Sequence, residues 1–247
     1  MKQMIGYGLL TLLATSLVAA DAGKDDVKNA AKKLSDSSYS WKTTVEAAGG
    51  GGGAGAGRGF RPGPTEGKIE KDGTSVLSLT RGDNTLQAVL KSGGKGAIKT
   101  EDGWKSLSEA AEDDGGGQPN AGRFAARMLQ NFKAPAVEAE SLADKTKDLK
   151  KEGDVYSGTL TEEGAKSLLT FGGRRNPGAE APTVSNAKGS SKFWVKDGVL
   201  SKYEYKVKGS VSFNGNDREV DRTTTVEIKD VGTTKATVPE EAKKKLS

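Results

Sequence analysis

From Lys202 to Lys229 the chain alternates between side chains that avoid water and side chains that seek it. Tyr203, Tyr205, Val207, Val211 and Phe213 occupy one parity, and Lys202, Glu204, Lys206 and Lys208 the other. Asn214-Gly215 follows, a dipeptide suited to a two-residue hairpin turn. Val220, Thr224, Val226 and Ile228 then alternate with Asp221, Thr223, Glu227 and Lys229. Successive side chains on a strand point to opposite faces, so this pattern suits an antiparallel ribbon packed on one face and wet on the other.

Shorter segments repeat the signal. Tyr39, Trp41, Thr43 and Val45 alternate along residues 39–47. Residues 67–71, 75–80, 85–91 and 97–101 are strand-like and separated by Asp-Gly, Gly-Asp and Gly-Gly turns, which is the pattern of a meander. Asp102-Gly103-Trp104 reads as a turn that presents an aromatic ring, and residues 154–161 and 192–196 add two further strands.

Helical spacing interrupts the strands. Val27, Ala30, Ala31 and Leu34 mark a helix over residues 25–34, with Asp25 and Asp26 suited to its N-terminus. Ala121, Phe124, Ala125, Met128, Leu129 and Phe132 form one apolar stripe, started by Pro119-Asn120 and followed by Pro135. Ala139, Leu142, Ala143, Thr146 and Leu149 form a second, residues 162–169 a short helix, and Val238-Pro239-Glu240-Glu241 opens a terminal one. Both stripes are expected to pack across a sheet, which makes the fold class α+β.

The first 20 residues read as a cleavable signal peptide. Lys2 supplies a positive charge, residues 5–19 carry none, and Val18-Ala19-Ala20 suits cleavage after Ala20. The apolar run is shorter than the ~20 residues that span a bilayer. The expected location is periplasmic or secreted, with no transmembrane segment after cleavage. Residues 21–247 are read as a single domain with glycine-rich loops at 49–64 and 172–189. Gly50, Gly52 and Gly55 have nucleotide-loop spacing, but Pro62 and Pro64 follow where a phosphate loop needs a helix.

Composition excludes more chemistry than it selects. There is no Cys and no His, which removes disulfides, a thiolate nucleophile, the usual neutral-pH base and the commonest zinc ligand. The net charge of +5 comes from 38 basic and 33 acidic residues mixed along the chain, so nucleic acid is not an expected partner. Ser-x-x-Lys at Ser92–Lys95 and Ser185–Lys188 lies beside glycines, where no lysine is desolvated enough to activate a serine. Arg81-Gly82-Asp83 falls where a hairpin turn is needed, and Glu112-Asp113-Asp114 lacks the alternating oxygens of a calcium loop. The expectation is a protein without catalytic residues, metal or cofactor.

Lys192-Phe193-Trp194-Val195-Lys196-Asp197-Gly198-Val199-Leu200, the long hairpin after it and the Val238-Pro239-Glu240 ending resemble the lipoprotein-carrier-like superfamily. That group includes periplasmic lipoprotein carriers and mycobacterial lipid-binding lipoproteins. Thr100 to Leu107 and Gly153 to Thr161 look closer still to a family of exported bacterial proteins. The resemblance implies a curved, half-open antiparallel β-barrel or sheet whose concave face is covered by helices, and a cavity for acyl chains. It carries no catalytic consensus, and the lipidating cysteine of the lipoprotein members is absent here.

Two functions follow. In the first, a periplasmic carrier or sensor holds a lipid or lipoprotein acyl group in a cavity formed by Phe193, Val195, Tyr203, Tyr205, Val207, Val226 and Ile228, covered by Phe124, Met128 and Leu129. In the second, the same side chains fill a core with no ligand, and the protein is an interaction or structural module whose partner is an envelope protein. Pocket and core draw on one composition.

Overall fold

The computed structural model describes residues 16–47, 64–81, 84–112, 121–170, 182–213 and 216–246. Residues 1–15, which fall within the expected signal peptide, most of the expected 49–64 loop, and residues 82–83 and 214–215, where hairpin turns are expected, lie outside them. The elements run α1 (Ser16–Ser35), β1 (Tyr39–Ala47), β2 (Thr65–Ile69), β3 (Ser75–Arg81), β4 (Asn84–Leu90), β5 (Gly96–Thr100), β6 (Gly103–Ser106), α2 (Leu107–Glu112), α3 (Ala121–Leu129) and α4 (Pro135–Asp144). They continue with β7 (Thr146–Glu152), β8 (Val155–Leu160), α5 (Glu162–Leu169), β9 (Thr183–Lys196), β10 (Val199–Phe213), β11 (Asn216–Lys229) and α6 (Glu240–Lys243).

The class is α+β, as expected. One antiparallel sheet of 11 strands runs in the order β6-β5-β4-β3-β2-β1-β11-β10-β9-β8-β7. Its two edges, β6 and β7, do not pair, so the sheet is open. Every step but one is between sequence neighbours; the exception pairs β1 with β11 and joins the two halves of the chain.

Register explains which face is which. Cross-strand partners place Leu77, Gly67, Trp41 and Ile228 in one row, all on the face where the helices lie. The neighbouring row on the other face is Glu66, Lys42, Glu227 and Lys202. Its charges alternate in sign: Lys42 Nζ is 2.8 Å from Glu66 Oε1, and Lys202 Nζ sits 4.7 Å from the Trp194 ring centre. Exposed pairs of this kind contribute only ~0–1 kcal/mol each. They keep a broad wet face locally neutral.

The helical face holds one core cluster that runs from Val27 and Leu34 of α1, through Trp41 and Leu77, to Phe193, Tyr203 and Val226. A second, smaller cluster lies on the opposite face, where Ala242 and Leu246 cover Val89, Ala97 and Trp104. The terminal helix therefore packs on the side of the sheet away from α1–α5.

Several expectations need correcting. The first helix extends N-terminally to Ser16, so the expected cleavage point after Ala20 falls within its span. Gly103–Ser106 is a strand, and a helix follows it directly. That helix starts with a capping box: Glu109 N donates to Ser106 Oγ at 3.2 Å, and Ser106 N donates to Glu109 Oε2 at 2.7 Å. Pro135 begins α4. Thr146 and Leu149 are buried, but on strand β7. Residues 183–189 of the expected second glycine loop belong to β9, and residues 171–181 lie outside the described ones.

The open edge at β7 carries Lys147, Lys150 and Lys151 and a register shift between Lys147 and Lys150, with Asp148 at φ 55°. Lysines and a bulge are the usual defences of a strand edge against pairing with another chain. Among the described residues no helix is long and apolar enough to cross a membrane.

α5 shows how local sequence sets a boundary. Thr161 Oγ1 accepts from Gly164 N at 3.0 Å, and Glu162 and Glu163 occupy the positive first turn. Thr161→Ala is expected to lower stability by about 1 kcal/mol in a denaturant titration. Because Leu168 and Leu169 anchor this helix on the ribbon, a null result would mean packing alone fixes its start.

Candidate site on the helical face of the late ribbon

β9, β10 and β11 bring most of the predicted cavity residues onto one face. Phe193, Tyr203, Val207 and Val226 are 0% exposed, and Tyr205 and Ile228 are each 7% exposed. Val195 is half-buried against the same cluster. The other half of the expectation is corrected. Phe124 and Met128 are 42% and 37% exposed, and only Leu129 of the three expected lid residues is buried. Helix α3 turns Ala125, Ala126 and Leu129 inward instead, and it packs chiefly on α2 and β5. The ribbon is covered by α1 and α5.

A half-buried carboxylate sits within this apolar setting. Glu138, in the first turn of α4, accepts from Tyr203 Oη at 2.5 Å and from Tyr205 Oη at 3.2 Å. Tyr39 Oη accepts from Ala136 N at 3.3 Å, so three tyrosines of the sheet hold one helix start. Burial pushes the Glu138 carboxyl above its ordinary range; the two phenols, Lys145 and Lys133 pull the other way and lose. Burial and the Glu138 charge raise both Tyr203 and Tyr205, and burial pushes Tyr39 up to about 12. With all three tyrosines neutral at ordinary pH, they serve as hydroxyl partners rather than as bases.

Beyond Tyr205 the face changes character. Arg222 lies in register with Val207 and Ala47, and Thr224 with Tyr205 and Val45. The Arg222 guanidinium donates to the Leu168 carbonyl at the end of α5, while its Nε is buried without a hydrogen-bond partner. Burial also falls away across the strands. The row Phe193, Tyr203, Val226 is sealed, and it continues through Thr43, Thr65, Leu79 and Leu86, which are only half-buried. A half-buried strip of two threonines and two leucines thus continues the core row, with the Arg222 cation and the Thr224 hydroxyl beside it.

Two clefts lie elsewhere. One, of about 390 Å³, has Tyr39, Ile69, Leu129 and Phe132 inside and Lys71, Lys91 and Lys95 at its rim. The other, of about 570 Å³, is polar and runs between α1 and the strand ends near Tyr156 and Asp197; Val195 is the one predicted residue that lines it. Tyr156 Oη donates to Asp26 Oδ2 there at 2.8 Å, which ties α1 to β8.

Neither Glu138 nor Arg222 was among the residues singled out by sequence. Arg222 did leave a trace, since the inward parity of β11 passes from Val220 to Thr224 across a charged position. Glu138 left none, because one glutamate in a helical first turn is ordinary.

No family model matches the chain, and no curated protein matches it. Among solved structures, a chain of the Pseudomonas aeruginosa MucA/MucB complex is similar at 12% identity and a TM-score of 0.27, over 84% of this chain and 94% of that one.

Proposed function

We propose that this protein is a non-catalytic binding module of the bacterial envelope that holds an apolar chain, the acyl group of a lipid or lipoprotein, along the helical face of its sheet. The observation that supports this reading most is the half-buried strip Thr43, Thr65, Leu79 and Leu86, which continues a sealed core row outward. Beyond the two threonines this row turns apolar again at Leu79 and Leu86, where its cover has thinned. Each methylene laid on such a surface contributes up to ~0.8 kcal/mol, so a chain of modest length suffices for binding.

The sealed middle of the ribbon favours a second reading for that part alone. Phe193, Tyr203, Val207 and Val226 leave no exposed surface, so the ligand-free core accounts for them. In that reading the protein is an envelope interaction module, and exposed residues such as Phe124 and Met128 on α3 meet a protein partner.

The two are separated by mass spectrometry of lipids extracted from natively purified protein. The expected result is an acyl-bearing species recovered with the wild type and reduced about tenfold or more by Leu79→Glu, which sets a charge in the strip. Recovery of no apolar species, or equal recovery from the variant, counts against acyl binding there.

A further inference from the structure

Arg222 is a cation on the face of the sheet that otherwise carries the core, and its contact with α5 leaves part of it unused. Its position follows Thr224, Val226 and Ile228 in parity, so its side chain enters the helical face rather than the charged wet face. One N–H reaches the Leu168 carbonyl, which suits a cation at the end of a helix. That contact leaves Nε buried and unpartnered. A guanidinium N–H shut away from water without an acceptor is disfavoured, and the cost is relieved when an anion arrives at this half-buried side chain.

Two carboxylates that bear on this part of the sheet are already engaged. Asp221, next in the chain, faces the other side of the sheet, where Lys206 and Lys208 approach it at 3.4 and 3.7 Å. Glu138 is held by Tyr203 and Tyr205. Tyr205 lies between these opposed charges, with its phenol raised by Glu138 and drawn down by Arg222 and by the Thr224 hydroxyl.

We infer that Arg222 is the headgroup subsite of the binding strip and that it selects ligands ending in a carboxylate, with the apolar chain running outward over Val45 and Leu79. This rests on the acyl-binding reading above and adds the chemistry of the polar end. One half-buried cation matches one negative charge, so a fatty carboxylate suits the site better than a phosphate dianion. The guanidinium donates in a planar fork that fits a carboxylate.

The test titrates the full chain at pH 8 with three probes of equal chain length: palmitate, methyl palmitate and palmitoyl-lysophosphatidate. The wild type is expected to prefer palmitate to its methyl ester by roughly 10- to 100-fold, the range set by hydrogen bonds to charged groups. Arg222→Gln should remove that preference by weakening palmitate and leaving the ester unchanged. Arg222→Lys, which keeps the charge, should retain part of it. If palmitate and ester bind the wild type equally, or if Arg222→Gln weakens both alike, the subsite is wrong while acyl binding stands. A phosphate probe that outcompetes palmitate overturns the carboxylate assignment. If none of the probes binds, the acyl reading itself fails. Should Arg222→Gln not fold, the wild-type preference and the Lys variant still decide the matter.

Discussion

Gly67→Val is expected to lower the stability of this protein by about 3 kcal/mol, with a melting temperature lower by roughly 10 °C. The reason is a single contact across two strands. Gly67 pairs with Trp41, and a Cβ at position 67 would meet Trp41 Cζ2 at 2.3 Å and Cη2 at 2.4 Å. The indole lies over the glycine backbone and is only 4% exposed. It cannot swing aside freely, because it stacks on Phe132 at 6.0 Å between ring centres and meets Tyr39 at 5.9 Å. Gly67 thus leaves the space in which the α3–α4 connection and the sheet meet through one ring. A double-mutant cycle isolates the effect. Trp41→Ala alone should cost about 3–5 kcal/mol, but in that background Gly67→Val should cost little, since valine suits a strand. Equal costs of Gly67→Val in both backgrounds would mean that the glycine is needed for some reason other than the ring.

The legible parts of the fold are those where one period dominates. β1, the late hairpin and α5 lie where alternation or capping places them, because each follows the rule of its own element without interruption. The errors come from places where one period imitates another. Thr146 and Leu149 sit three apart and continue the spacing of Leu142 and Ala143, which reads as helix. In the structure that interval of three arises on a strand, because the bulge near Asp148 adds a residue between two inward positions. Thr146 then donates to the Leu142 carbonyl at 2.8 Å and pairs with Ser191 Oγ at 2.7 Å, so a buried hydroxyl fixes the switch from helix to strand.

Helix α3 fails differently. Its stripe by hydrophobicity centres on Phe124 and Met128, while its packed side uses Ala125, Ala126 and Leu129. Small side chains allow close approach to α2 and β5, and a scale that ranks residues by apolar surface overlooks them. At the candidate site, the apolar half was readable and the polar half was not. Tyr203, Tyr205 and Val207 declare themselves through alternation. That a glutamate from α4 ends on two of those phenols depends on how a helix docks some 65 residues earlier in the chain, and no local pattern encodes it.

Glu138→Ala should cost about 2–5 kcal/mol, because two buried phenol hydroxyls lose their acceptor and each unsatisfied group costs roughly 1–3 kcal/mol. Glu138→Gln separates hydrogen bonding from charge. The carboxyl is held above its ordinary range in the folded protein, so the protonated form is favoured there relative to the unfolded chain. The stability this lends is complete below the unfolded carboxyl value, about 4.3, and is lost as pH rises through the higher folded value. Glutamine mimics the protonated acid and cannot ionise. The difference in unfolding free energy, variant minus wild type, should therefore rise in favour of glutamine as pH climbs from about 4 and then level off above the folded value. Denaturant titrations between pH 4 and pH 8 measure it. A difference independent of pH would mean that Glu138 ionises as readily in the folded protein as in the unfolded one, and that the phenols and lysines, rather than burial, govern it. The expected slope ties the seating of α4 on the ribbon to proton concentration, because the same carboxyl that secures the helix to Tyr203 and Tyr205 is the one whose ionisation opposes its burial.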